Sequence, residues 1–200
     1  MFTLFPRSNR PASCTIALLL AAAASATASA RVVDVCNPAL PYTVPDHDQI
    51  RWSIFSVVGL QGNGTQYCVP TCTTDILTYL QNHGYPALNI GSGPGPWLGT
   101  PTIYNAFSNG IESLAGLMNT DPSGGTGGND AFAGVNQCIA NSGYTGYIIV
   151  TKVGMSANNA PELGDIAFSL IARCPISISV GWYENTGGNN FVRRGGHCVA

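Results

Sequence analysis

Two short segments of this chain contain the residue types of a thiol nucleophile and its base. Cys68 lies at the boundary between a loop and a helical pattern, in QYCVPTC (66–72), and His197 follows two glycines in RGGHC (194–198), 129 positions later. The free N–H groups at a helix N-terminus favour a thiolate over a thiol. A histidine can take the thiol proton and return it to a leaving group. The pair predicts nucleophilic catalysis, whereas a disulfide for Cys68 and a structural role for His197 are the alternatives.

The periodicity of apolar residues predicts the elements that must bring these two residues together. A helix at 69–85 begins at the cysteine and ends at Gly84 and Pro86. Three further helices are predicted at 103–118, 130–140 and 161–172, with Asp130 as the cap of the third helix. Strands are predicted at 147–153, at 176–183 and from Gly196 onward, the last two being antiparallel neighbours joined by a loop at 184–194. Helices first and strands last indicate an α+β fold.

The two segments resemble the nucleophile helix and the histidine strand of the papain-like cysteine peptidases, in particular the C39-like branch. That branch has Cys-Gly-Pro-Thr/Ala-Ser at the head of a helix, and Cys68-Val69-Pro70-Thr71-Cys72 matches it with Val69 and Cys72 as departures. Its Gly-Gly-His strand is matched without change by residues 195–197. The resemblance runs in order over about residues 45–200 and implies a papain-like fold and peptidase activity.

The resemblance also implies an oxyanion hole and a third catalytic residue. In the family a glutamine six residues before the cysteine donates to the oxyanion, together with the cysteine N–H. Gly62 occupies that position, so we assign the role to Gln61, one residue away, in preference to Gln66. The Asn or Asp that orients the histidine follows it by about a strand in the family. The chain as given ends at Ala200, and we therefore expect residues 31–200 to be a truncated domain.

The N-terminus has the pattern of a secretory signal peptide. Arg7 and Arg10 precede an apolar run at 15–24, and Ala28-Ser29-Ala30 is a small-x-small cleavage site. We predict that residues 1–30 are removed and that a single domain, 31–200, is secreted or periplasmic. Loss of the two arginines takes the net charge from −2 to −4. Lys152 is the only lysine, so the sequence excludes nucleic acid as a partner, and no membrane span is expected after leader removal.

Six cysteines would remain in an oxidising compartment, where some of them should pair. They allow three bridges, or two bridges with one reactive thiol and one thiol left over. The sequence does not choose between these arrangements, although partners other than Cys68 are preferred for Cys72 and Cys198. The six are Cys36, Cys68, Cys72, Cys138, Cys174 and Cys198.

Metal and cofactor sites are not predicted. Cys68, Cys72, His197 and Cys198 have zinc-ligand chemistry, but adjacent strand residues point to opposite faces, which separates His197 from Cys198. The polar segment around His47 is interpreted as a solvated loop. Asp121 and Asp130 match no calcium motif. The leading hypothesis is an exported cysteine peptidase, and the alternatives are a non-catalytic disulfide-stabilised binding module and an acyl-transferring thiol enzyme.

Overall fold

The structure is a computed structural model that describes residues 2–6, 47–53, 59–90, 101–152, 162–171 and 174–200. These residues form an α+β fold in which every strand pair is antiparallel, so the expected fold class is confirmed. The papain-like form of that class stays a prediction. In chain order the elements are β1 (Phe2–Pro6), α1 (Cys68–Asn82), α2 (Pro101–Leu117), α3 (Gly128–Asn141), β2 (Ile148–Lys152), α4 (Leu163–Ile171), β3 (Ile176–Gly187) and β4 (Asn190–Val199).

Helix α1 is the central element of the helical layer. Pro70 is tolerated because first-turn N–H groups have no intrahelical partner, and its carbonyl accepts a hydrogen bond from the Thr74 hydroxyl at 2.9 Å. Every residue from Pro70 to Thr78 is buried. The helix ends at Asn82, and Gly84 adopts φ +110°, a conformation that glycine tolerates best. The predicted stop at Gly84 is therefore confirmed.

Helices α2 and α3 pack on α1 through the apolar stripes that the periodicity predicts. Phe107, Ile111 and Leu114 of α2 are buried at spacings of three and four residues. Helix α3 comes close to the end of α2 at Gly134, where an added Cβ would lie 2.5 Å from Met118 Cγ. Helix α3 is capped by Gly127, and Asp130 lies in its first turn, so the predicted cap was wrong.

The described strands form one sheet in the order β2-β1-β3-β4. Strand β1 pairs with β2 from Phe2↔Lys152 to Pro6↔Ile148 and with the start of β3 at Thr3↔Ile176. Residues of the predicted leader thus supply a strand between β2 and β3. Residues 7–30 lie outside the described residues, and leader removal stays a prediction. Among the described residues, no helix is both long and apolar enough to cross a membrane.

Strands β3 and β4 form a hairpin that is longer than the sequence indicates. The expected loop at 184–194 was wrong, since pairing continues to Gly187↔Asn190 and leaves only two residues in the turn. Gly187 and Gly188 take positive φ, which permits so tight a turn. Arg194 is an extra residue between Tyr183↔Arg193 and Trp182↔Gly195, which makes a β-bulge. The ladder from Gly195 to Val199 is regular.

Helix α4 begins later than the predicted start at residue 161, and the predicted last residue, 172, lies outside the described residues. It begins at Leu163, and Glu162 precedes it with its N–H donating to the Asp165 carboxylate at 2.9 Å. Glu162 therefore lies outside the helix, although it was expected in the first turns. The carboxylate holds the chain at the point of helix entry because it accepts an N–H that has no intrahelical partner.

Candidate functional site

The chain that leads into Cys68 is held by a tight turn. Gln61–Gly64 forms a short 3-10 segment in which Gly62, Asn63 and Gly64 have positive φ. Arg51 N–H donates to the Asn63 carbonyl at 2.9 Å. A Cβ at Gly64 would collide with the Gln49 carbonyl. Because the backbones of 49–51 and 59–64 lie against each other, the position at which α1 begins is fixed by contacts outside the helix.

Arg51 is buried beneath this turn and is only 2% exposed. Its guanidinium donates to the Tyr104 carbonyl at 3.2 Å and to the Ser108 hydroxyl at 3.3 Å, and it lies 4.6 Å from the centre of the Tyr104 ring. Its Nε also donates to the Asp48 carbonyl at 3.1 Å. Burial lowers the pKa of Arg51, while the nearby Tyr104, Asp48 and Asp75 oppose that effect. This side chain joins the loop before α1 to helix α2.

Cys68 is the first residue of α1, and its side chain is half-buried. The backbone N–H groups of Cys198, Val69 and Cys68 lie near its sulphur and lower its pKa. Burial nevertheless raises the pKa of Cys68, because the loss of solvation outweighs these N–H groups. The N–H groups at the helix N-terminus favour the thiolate, as expected, but burial outweighs them and the net pKa is raised.

His197 lies on β4 directly before Cys198, so the strand that carries it is next to Cys68. It pairs with Val180 of β3, and its side chain is exposed. Cys198 is 4% exposed and faces α1. Since neighbouring strand residues point to opposite faces, the imidazole leaves the sheet on the face away from Cys198. The catalytic pairing of Cys68 with His197 stays a prediction.

The glycine before His197 has a definite steric role. A Cβ at Gly196 would meet the Arg193 guanidinium and would lie 2.7 Å from the Val180 carbonyl. Arg193 Nε also donates to the Gly195 carbonyl at 3.2 Å. The absence of a side chain at 196 therefore lets an arginine lie across β4 beside the Cys198 position. The sequence indicated a close approach at this glycine but not what approaches it.

The two glutamines considered for the oxyanion hole differ in their surroundings. Gln61 is exposed in the 3-10 segment. The Gln66 side-chain oxygen lies 3.4 Å from the position of a Cβ added at Gly125, so this side chain is directed toward the loop that precedes α3. The assignment of that role to Gln61 stays a prediction.

A second thiol of α1, that of Cys72, lies one helical turn after Cys68. Cys72 is 3% exposed, and the nearby Cys198 raises the pKa of its thiol. The Ser177 hydroxyl lies 3.1 Å from the Cys198 sulphur. The Cys72 thiol and the Ser177 and Ser179 hydroxyls lower the pKa of Cys198, whereas the pKa of Cys72 is raised by Cys198 and by burial. Of the two, Cys198 is the one that ionises first.

His47 is a residue whose environment the sequence did not predict. The expectation of a solvated loop was wrong, since His47 is 4% exposed. Its backbone N–H donates to Asp75 Oδ1 at 3.0 Å, and its ring Nδ1 lies 2.5 Å from the same oxygen. The ring centre is 3.9 Å from that of Phe107. The flanking aspartates suggested a polar loop, and only the position of Asp75 on the buried side of α1 shows where the ring goes.

The candidate metal ligands of the sequence lie in separate environments. Cys68, Cys72 and Cys198 gather where α1 meets β4, but the His197 side chain leaves the sheet on the opposite face. Asp121 accepts hydrogen bonds from the Ser123 N–H at 2.8 Å and hydroxyl at 2.7 Å, which lower its pKa. Its carboxylate shapes a turn. Within the described ranges, no group of three or more His, Cys, Asp or Glu side chains has the geometry to hold a metal ion.

The chain was compared with protein-family models, with curated proteins and with solved structures. No family model matches the chain, and neither a curated protein nor a solved structure matches it. What the protein does is therefore inferred from the geometry around Cys68 and from the resemblance of the two motifs.

Proposed function

We propose that this protein is an exported cysteine hydrolase that acts on peptide or amide bonds, with Cys68 as its nucleophile. The observation that carries the proposal is the docking of α1 against β4, which brings the backbone N–H of Cys198, the residue next to His197, close enough to the Cys68 sulphur to lower its pKa. Cys68 is half-buried, while the other cysteines in the described part of the chain are buried. A substrate can therefore reach this sulphur more readily than theirs.

The raised pKa of Cys68 means that the proposed mechanism needs a base to activate the thiol. The resting nucleophile is a neutral thiol, so a base must remove its proton as the sulphur attacks the carbonyl carbon. His197 is the base in this proposal, and it returns the proton to the leaving amine. Because its exposed ring leaves β4 on the face away from Cys198, the proposal requires β4 to twist when a substrate binds, so that the ring reaches Cys68. Water then releases the acyl group from Cys68.

The oxyanion of the tetrahedral intermediate requires donors fixed before the reaction begins. The Cys68 N–H is held at the first turn of α1, and the Gln61 side chain is the second donor in the proposal. Loss of one such donor lowers kcat by about 100- to 1000-fold in hydrolases of this kind. Gln61→Ala should show that loss, while Gln66→Ala, at a glutamine directed toward Gly125, should keep most of the activity.

Hydrolysis of a panel of fluorogenic peptide amides by the purified protein tests the proposal. Cys68→Ala should abolish turnover, and His197→Ala should lower it by about 100-fold or more. Cys138→Ala and His83→Ala are the matched controls, because Cys138 lies in the helical core and His83 is stacked on Tyr79 at the end of α1. Full activity in Cys68→Ala would refute the assignment of the nucleophile.

A non-catalytic binding module of the same fold is the second candidate. It is favoured by the raised pKa of Cys68 and by the exposure of His197 on the opposite face. This candidate predicts no hydrolysis of any peptide in the panel and no effect of His197→Ala on the alkylation of Cys68. The hydrolase predicts that a bound peptide substrate makes alkylation of Cys68 dependent on His197.

A further inference from the structure

We propose that Arg193 and Tyr183 bind a carboxylate of the peptide substrate, so that peptides with a carboxylate near the scissile bond are preferred. The inference names the substrate class of the site at Cys68 and in that respect rests on the proposed function. Both side chains are exposed on the β3–β4 hairpin. The two residues pair with each other across the hairpin, directly before the bulge at Arg194.

Two facing glycines decide where these side chains lie. Gly181 of β3 pairs with Gly196 of β4. The position of a Cβ added at Gly181 is 2.9 Å from the edge of the Tyr183 ring, and it is 3.3 Å from both the Tyr183 hydroxyl and Arg193 Nε. A Cβ added at Gly196 would meet the end of the Arg193 guanidinium. The missing Cβ atoms therefore let the ring and the guanidinium lie side by side on the backbone.

The Arg193 guanidinium is held in direction but has no counter-ion. Its Nε donates to the Gly195 carbonyl at 3.2 Å, which points the terminal N–H groups along β4. Among the described residues, no carboxylate pairs with Arg193, whereas the neighbouring Arg194 has its Nε 2.5 Å from a Glu184 carboxylate oxygen. A planar guanidinium fork matches a carboxylate, and the Tyr183 hydroxyl is a second donor beside it. The pair of side chains therefore presents donors to an anion.

The guanidinium extends from its own position toward Cys68. It reaches Gly196, which belongs to the same sheet face as Cys198 and lies two residues before it, about 7 Å along the strand. Helix α1 packs on β4, and the Cys198 N–H lies near the Cys68 sulphur. An extended peptide covers such a distance in about two or three residues. The carboxylate should therefore belong to a residue within about three positions of the carbonyl that Cys68 attacks.

Alkylation of Cys68 by reactive peptides tests the proposal without requiring turnover. The reagents are tripeptide chloromethyl ketones of alanine with glutamate at the first, second or third position, and their glutamine and lysine counterparts. At least one glutamate reagent should label Cys68 about 5-fold faster than its glutamine counterpart. The difference should shrink in 1 M salt, because screening weakens an exposed ion pair. Fragmentation of the labelled peptide in the mass spectrometer places the label.

A carboxylate can also come from the end of a peptide, and a second pair of reagents distinguishes this source. Chloroacetyl-dialanine is used with a free and with an amidated C-terminus. Faster labelling by the free acid alone assigns the site to a C-terminal carboxylate, whereas a preference for glutamate assigns it to an acidic side chain. Either preference supports the proposal, provided that it depends on Arg193.

Substitutions at the two neighbouring arginines separate recognition from general charge effects. Arg193→Glu should reverse the preference, so that the lysine reagent labels Cys68 faster than the glutamate reagent. Arg194→Gln is the matched control and should keep the wild-type preference, because Arg194 is already paired with Glu184. Gly181→Ala should weaken the preference, since its Cβ displaces the Tyr183 ring and Arg193 Nε without meeting a backbone atom.

The outcomes distinguish this inference from the hydrolase itself. Equal rates for all charged and neutral reagents, no labelling of Cys68 by any of them, or a preference unchanged in Arg193→Glu would each overturn the carboxylate site. If Arg193→Glu does not fold, the response of Gly181→Ala decides in the same way. A preference that depends on Arg193, in a protein that hydrolyses no peptide amide, would support the carboxylate site and refute the hydrolase.

Discussion

The ring of His47 lies against Asp75, with its Nδ1 2.5 Å from the carboxylate oxygen that also accepts the His47 backbone N–H. The carboxylate belongs to α1, and the histidine belongs to the segment that precedes the turn at Gln61–Gly64. Phe107 of α2 covers the ring. This buried pair therefore joins the loop before the candidate nucleophile to helices α1 and α2, and it helps to fix the position of α1.

Breaking this pair should strongly destabilise the fold. We expect His47→Ala to lower the free energy of unfolding by about 3 kcal/mol, because it leaves the Asp75 carboxylate buried without the ring. Urea unfolding followed by circular dichroism measures the change. Asp130→Asn, at an exposed carboxylate in the first turn of α3, is the control and should cost less than about 1 kcal/mol. Equal losses in the two variants would contradict a structural role for the pair.

Alanine substitutions at two helical glycines, Gly134 and Gly116, should change the stability of the protein in opposite directions. Gly134→Ala should destabilise the protein although alanine favours helix, because its Cβ would lie 2.5 Å from Met118 Cγ and 2.9 Å from the Leu117 carbonyl carbon. A Cβ added at Gly116 would have no atom within 4 Å, so Gly116→Ala should stabilise the protein by about 0.5–1 kcal/mol. Thermal unfolding of the two variants should shift Tm in opposite directions. A rise in Tm for both would show that the helices are not in close contact at Gly134.

The raised pKa of Cys68 predicts how its alkylation depends on pH. The thiolate is the reactive form, so a raised pKa means that less of it is present at neutral pH than in a free cysteine. The rate of labelling by iodoacetamide should still be rising above pH about 8.5, the usual pKa of a free cysteine. In concentrated urea, where the chain is unfolded, the rate should level off at a lower pH. Mass spectrometry of the Cys68 peptide gives the rate. A folded-state midpoint below that of the unfolded chain would indicate an imidazolium beside the sulphur.

Local patterns in the sequence were sufficient to predict the helices of the described chain. Phe107, Ile111 and Leu114 recur with the helical period, and Gly84 provides a stop, so α1 and α2 lie within a few residues of their expected bounds. Helix formation depends on neighbours three and four positions away, which the sequence displays directly. The hairpin length was missed because a two-residue turn at Gly188 depends on backbone dihedrals that composition does not specify.

The candidate site was predictable only in part, because its geometry depends on how α1 docks on β4. Strand alternation requires that His197 and Cys198 point to opposite faces of the sheet, and the sequence alone determines this opposition. Which of the two faces meets the helix is decided by the packing of distant segments, and in the structure it is Cys198 that is buried and His197 that is exposed. The same docking buries part of Cys68 and raises its pKa, since desolvation arises from atoms that are remote in the chain.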